Sequence, residues 1–100
     1  MITSFLAGVH VEEVMVSDEE QKTKEFKQKC LTGKFPILET SEGVIFESAA
    51  IARYLARLNP DARLIGFDNL ENALIDQFID FAKGSVIPHI MSIALATFGW

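Results

Sequence analysis

Apolar residues recur along this chain at two spacings, and the change from one to the other marks its elements. Ile2, Phe5 and Leu6 fall at helical spacing, and Gly8 stands where a left-handed residue would close a short helix; a short strand fits the same residues. Val9 to Val16, VHVEEVMV, is dense in β-branched residues and predicts a strand. Ser17-Asp18-Glu19-Glu20 then has the form of a capping box, in which the serine hydroxyl accepts from the Glu20 amide and the Glu20 carboxylate reaches back. It predicts a charged helix running to about Cys30. Acids fill its first turn and Lys22, Lys24, Lys27 and Lys29 follow, the order a helix dipole favours. Phe26, Cys30 and Leu31 give it only a thin apolar stripe, so most of its surface should face water, and Gly33 ends it.

FPILET (Phe35 to Thr40) and GVIFE (Gly43 to Glu47) predict a β-hairpin across Ser41-Glu42-Gly43, with Pro36 at the start or edge of its strand because it donates no ladder hydrogen bond. Ser48 predicts the N-cap of a helix whose Ile51, Tyr54, Leu55 and Leu58 share one face, with Arg53 and Arg57 as an i, i+4 pair on another. Asn59-Pro60-Asp61 stops that helix. A second capping box, Asp68-Asn69-Leu70-Glu71, opens the longest helical pattern, with Leu70, Leu74, Ile75, Phe78, Ile79 and Phe81 apolar and a bend or stop at Gly84 or Pro88. The first part has the texture of a small α/β unit with a mixed sheet, the last that of an all-α region. The change near residue 66 is the one plausible domain boundary.

Composition narrows the function classes. With 14 acidic against 9 basic residues and a net charge of -5, the chain lacks the dense Lys and Arg of a general nucleic-acid or anionic-membrane binder. Being 49% hydrophobic, it is not a wholly disordered chain. Its single cysteine, Cys30, cannot form an internal disulfide, and no Cys or His set has metal-ligand spacing. MITSFLAG lacks a basic leader region and is too short for a signal peptide. VIPHIMSIALATFGW falls short of the ~18 residues of a membrane span. The expectation is a cytoplasmic, soluble protein.

The sharpest local feature is Gly33-Lys34-Phe35-Pro36, followed by the hairpin and by Phe46-Glu47-Ser48-Ala49-Ala50-Ile51-Ala52-Arg53-Tyr54. These stretches resemble the glutathione-transferase superfamily, whose N-terminal domain carries a Gly-Lys-Val-Pro-type loop with a cis proline, two strands, and Glu-Ser at a helix start. Thr23-Lys24-Glu25-Phe26, Ile37-Leu38-Glu39-Thr40, Leu64-Ile65-Gly66, the helix through Gln77 to Ala82, and Ile87-Pro88 extend the likeness over nearly the whole chain. Their wording is similar to the elongation factor-1 gamma branch. The implied fold class is α/β: residues 1–66 a thioredoxin-like N-terminal domain without its first strand, and residues 67–100 the first helix or helices of an all-α C-terminal domain.

The resemblance also implies a site. Lys34, Phe35, Pro36, Glu47 and Ser48 match the positions that hold glutathione: Lys34 for the glycyl end, the Phe35 backbone beside cis Pro36 for the cysteinyl part, and Glu47 with Ser48 for the γ-glutamyl end. The chemistry suits those roles. A backbone held outward pairs with an extended peptide, a helix start favours an anion, and Glu47 suits an ammonium. Each residue has a plainer role too, Ser48 as an N-cap and Lys34 as a solvated charge, and Glu47 at a buried strand end needs a partner.

No catalytic residue is expected, because the superfamily's Tyr, Ser or Cys donor precedes the point at which this chain begins; Thr3 and Ser4 would sit at the wrong end of the first helix. Cys30 reads as a packing residue rather than a nucleophile. His10 and His89 lie in dissimilar surroundings and make an improbable acid–base pair. The implied function is non-catalytic, a scaffold that anchors the nucleotide-exchange subunits of the elongation factor-1 complex. Glutathione binding or transfer is the alternative, and the appended assembly domain of an aminoacyl-tRNA synthetase a second one. An aminoacyl-tRNA synthetase and a second copy of the chain are further partner expectations, whereas nucleic acid and membrane are not. No cofactor is required.

Two surfaces lack cover. The resemblance implies a central first strand between residues 9–16 and the strand near Phe35, and without it a row of backbone groups is unpaired. At the other end Ile87, Ile90, Met91, Ile93, Leu95, Phe98 and Trp100 want other helices over them. The expectation is part of a larger subunit.

Overall fold

A computed structural model of the chain describes residues 1–99; Trp100, counted above in the C-terminal apolar surface, lies outside them. The chain divides into two compact units, Met1–Leu64 and Ile65–Trp100.

In the first unit, Ile2–Ala7 form helix α1, closed by Gly8 at φ 66°, the left-handed conformation that glycine adopts without a Cβ penalty. The first-named expectation for these residues, a helix, is the one the chain takes. Ser4 and Ala7 are its buried positions, and the Ser4 hydroxyl is satisfied at 2.7 Å by the Met1 carbonyl. The helix packs against α3 (Ser48–Arg57), whose buried residues are Ile51, Leu55 and Ala56. A hydrogen bond over 52 residues of sequence fastens the two, from Asn59 Nδ2 to the Ala7 carbonyl at 2.8 Å. Leu58, expected on the buried face, is instead half exposed, lying just past the last helical turn.

Between them the structure departs from the sequence pattern twice. Residues 9–16 form no strand. A strand needs a neighbouring edge to pair its amides and carbonyls, and among the described residues the only ladder is the antiparallel hairpin of β1 (Ile37–Glu39) and β2 (Val44–Phe46), so the expected mixed sheet is not formed. β-branched residues give a segment the propensity without the partner.

The charged helix is also broken. The Ser17 hydroxyl does accept from the Glu20 amide, at 3.2 Å, but only a 3₁₀ turn, Glu20–Lys22, follows. Thr23 interrupts by donating its hydroxyl to the Glu20 carbonyl at 2.7 Å and accepting from the Phe26 amide at 3.2 Å. It thereby ends one turn and caps the next, α2 (Lys24–Lys29).

The hairpin pairs Ile37 with Phe46, Leu38 with Ile45 and Glu39 with Val44. Its turn is organised by Thr40, whose Oγ1 accepts from the Glu42 and Gly43 amides at 3.2 and 3.1 Å and donates to the Gly43 carbonyl at 2.9 Å. After α3, a 3₁₀ turn at Pro60–Ala62 closes the unit.

The second unit is one long helical run. Asp68 caps α4 (Asn69–Phe81) by accepting from the Glu71 amide at 2.8 Å, while the Glu71 carboxylate accepts from the Phe67 amide at 2.7 Å. Asn72 locks the entry, bonding Gly66 through both its amide oxygen and its amide nitrogen at 3.1 Å.

The run is not stopped at Gly84 or Pro88. A π-helical turn, Ala82–Val86, carries it into α5 (Ile87–Phe98), the Ile87 amide reaching back five residues to the Ala82 carbonyl. Widening the helix there relieves the clash and the missing donor that Pro88 imposes four residues downstream of Gly84. Asn69–Phe98 is therefore continuous over 30 residues, with a mean hydropathy of 1.3 in its most apolar window. That corrects the length argument above: the helix is long and apolar enough to cross a membrane by length and composition. Leu70, Phe78, Ile93 and Phe98 are each about two-thirds exposed, so the helix has an uncovered apolar face.

Gly66 tests the α4 entry. A Cβ at this position would stand 2.5 Å from Glu71 Cβ, 2.6 Å from the Asn72 nitrogen and 2.7 Å from the Glu71 carbonyl carbon, two of them backbone atoms that cannot yield. Gly66→Ala should cost about 1–3 kcal/mol. It should also speed hydrogen exchange at the Glu71 and Asn72 amides, which native-state exchange measures directly.

Candidate functional site

The loop leaving α2 is held by α2 itself. Cys30, 4% exposed, donates its thiol to the Lys34 carbonyl at 3.4 Å, and the Gly33 amide reaches the Cys30 carbonyl at 3.1 Å with Gly33 at φ 64°. The Lys34 amide bonds the Thr32 hydroxyl oxygen at 3.4 Å. Phe35 packs on the buried Phe26, the ring centroids 5.7 Å apart and tilted by 38°. The Phe35–Pro36 peptide bond that follows is cis. An exposed ion pair, Lys29 to Glu39 at 3.0 Å, adds a link from α2 to β1 worth no more than ~1 kcal/mol.

The facing side comes from the end of β2. Glu47 takes φ 71° and ψ 114°, a region that non-glycine residues seldom occupy. This sharp corner turns strand into helix. It also changes the capping assignment: Glu47 is the cap residue and Ser48 the first residue inside α3. No side chain caps this end, so the expected Ser48 N-cap bond is replaced by the cap geometry of Glu47. Glu47 is exposed rather than at a buried strand end. The first helical hydrogen bond, from the Ile51 amide to the Glu47 carbonyl at 3.0 Å, leaves the amides before it pointing out of the helix start.

These two sides enclose an open cleft of about 90 Å³ lined by Thr32, Lys34, Phe35, Pro36, Glu47 and Ser48. All five residues singled out in the sequence border it. Thr32 is the sixth, missed by sequence reasoning. Its signal was local: a threonine one place before a turn glycine, able to bond a backbone amide two residues on. A cation and a carboxylate, an apolar floor of Phe35 and Pro36, and the free amides of a helix start suit a small extended peptide with charged ends. The cleft is small for such a ligand, which would lie across it with one side uncovered. Among the described residues no group of acids, His and Cys could hold a metal ion.

Residues 1–57 match the family model of the glutathione S-transferase N-terminal domain. The chain belongs to that family, a thioredoxin-like α/β fold, here followed by a long helix. It is also similar, at 41% identity over its whole length, to elongation factor 1-gamma of Prunus avium, and at 47% over 70% of its length to probable elongation factor 1-gamma 1 of Arabidopsis thaliana. A glutathione S-transferase-like protein of a Fusarium species is 40% identical over 76% of the chain. The chain spans 24%, 17% and 36% of these relatives' own lengths. No solved structure matches it.

The buried thiol is testable here. Cys30 is covered and committed to the Lys34 carbonyl, so a thiol-specific chromogenic reagent should label it only at the rate of local or global unfolding. Labelling of the native chain as fast as that of free cysteine would show that the loop is not packed as described.

Proposed function

We propose that this chain is a non-catalytic docking module of the elongation factor 1-gamma type, acting in cytoplasmic translation elongation by anchoring nucleotide-exchange subunits. The observation that carries this reading is the 41% identity to elongation factor 1-gamma of Prunus avium, over a match that covers the entire chain. The uncovered face of α4–α5 suits such a role, since it offers a long apolar surface to further helices. A homodimer would use similar physics.

The glutathione S-transferase-like relatives favour a second reading, glutathione binding at the cleft. Lys34 and the Phe35 backbone would take the glycyl and cysteinyl parts, and Glu47 with Ser48 the γ-glutamyl end. Binding there does not imply transfer, which also needs a group to stabilise the thiolate.

One purification separates the two. The tagged full-length protein that contains this chain should bring down exchange-factor subunits, and no conjugation of glutathione to an electrophile should be measurable. Retention on immobilised glutathione, lost in Glu47→Ala and Ser48→Ala, would support the second reading. Conjugation activity without any exchange subunit would overturn the first.

A further inference from the structure

Ser17 sits in a part of the chain that neither the cleft nor the helical run uses. It is followed directly by Asp18, Glu19 and Glu20, and it is the one serine or threonine in the sequence with an acid three places on. All four residues are exposed, and residues 9–17 before the turn carry no helix or strand, with Met15 95% exposed. The Ser17 hydroxyl is held only by the Glu20 amide at 3.2 Å, and its carbonyl by the Gln21 amide at 3.0 Å. Releasing two surface hydrogen bonds is a small cost for presenting an extended acceptor to an enzyme.

We propose that Ser17 is a phosphorylation site for an acid-directed serine/threonine protein kinase. A kinase whose substrate groove is lined by Lys and Arg selects acids just after the acceptor, by charge complementarity. In the step itself, Ser17 Oγ attacks the γ-phosphorus of ATP. The new O–P bond forms as the bond from that phosphorus to the β–γ bridging oxygen breaks, ADP leaves, and the hydroxyl proton passes to the kinase's catalytic carboxylate. The product adds about 1.5 to 2 negative charges beside three acids. Its phosphate oxygens are placed to accept from the same Glu20 amide that the hydroxyl now engages. This inference stands apart from the docking and glutathione readings, since it uses none of their residues.

The test incubates the full chain with casein kinase II and magnesium ATP and maps the product by tandem mass spectrometry. A single phosphate on Ser17, absent in Ser17→Ala and slowed several-fold in Asp18→Asn/Glu20→Gln, is the expected result. The phosphorylated protein should also exchange its Glu20 amide more slowly. No incorporation into the folded protein, or incorporation at other residues with Ser17 unmodified, would overturn the proposal. So would a rate unchanged by removing the acids. Because these substitutions are on the surface, a circular dichroism spectrum matching the parent excludes misfolding as the cause of a loss.

Discussion

The first unit depends on one buried face, that of α3. Ile51, Leu55 and Ala56 are covered by α1 on one side and by the hairpin on the other, and burying the two larger side chains contributes about 1.5–3 kcal/mol each. Asn59, just past the helix end, satisfies the Ala7 carbonyl that this packing would otherwise bury without a partner. The helix therefore fixes the position of its own first residue, Ser48, and that residue borders the cleft. On the other side α2 does comparable work on a smaller scale, through Phe26 and Cys30, for the loop that ends in the cis bond. The cleft exists because two separately anchored ends of chain meet.

The second unit lacks an equivalent. Its capping at Asp68, Glu71 and Asn72 is complete, yet Ala94 is the one buried apolar residue of the run from Asn69 to Phe98 among those described. Local hydrogen bonding makes this segment a helix, and something else must cover it. Relatives several times the chain's length accord with a surface of that kind.

Sequence patterns succeeded where the determinants were local. The Ser41-Glu42-Gly43 signal located the hairpin turn, Asp68 and Glu71 the start of α4, and Gly8 the end of α1. They failed where a distant partner or a competing bond decides. Val9–Val16 has strand propensity, but no edge lies beside it. The Ser17 hydroxyl accepts from the Glu20 amide as expected, but Glu19 is the cap residue of the turn that follows, and Thr23 offers the backbone an alternative three residues after Glu20. Pro88 does not stop the helix, because a π turn just before it accommodates the ring. At the cleft, the motif brought five residues to notice, while the positive φ of Glu47 leaves no trace in sequence because glutamate rarely adopts it. Thr32 was overlooked because its role is to hold a backbone amide.

Native-state hydrogen exchange on the full chain measures the dependence on α3 most directly. The amides of Ile51 and Leu55 should be the slowest in residues 1–64, with those of residues 10–16 among the fastest. Strong protection across residues 10–16, or exchange at Ile51 as fast as in that segment, would contradict the account.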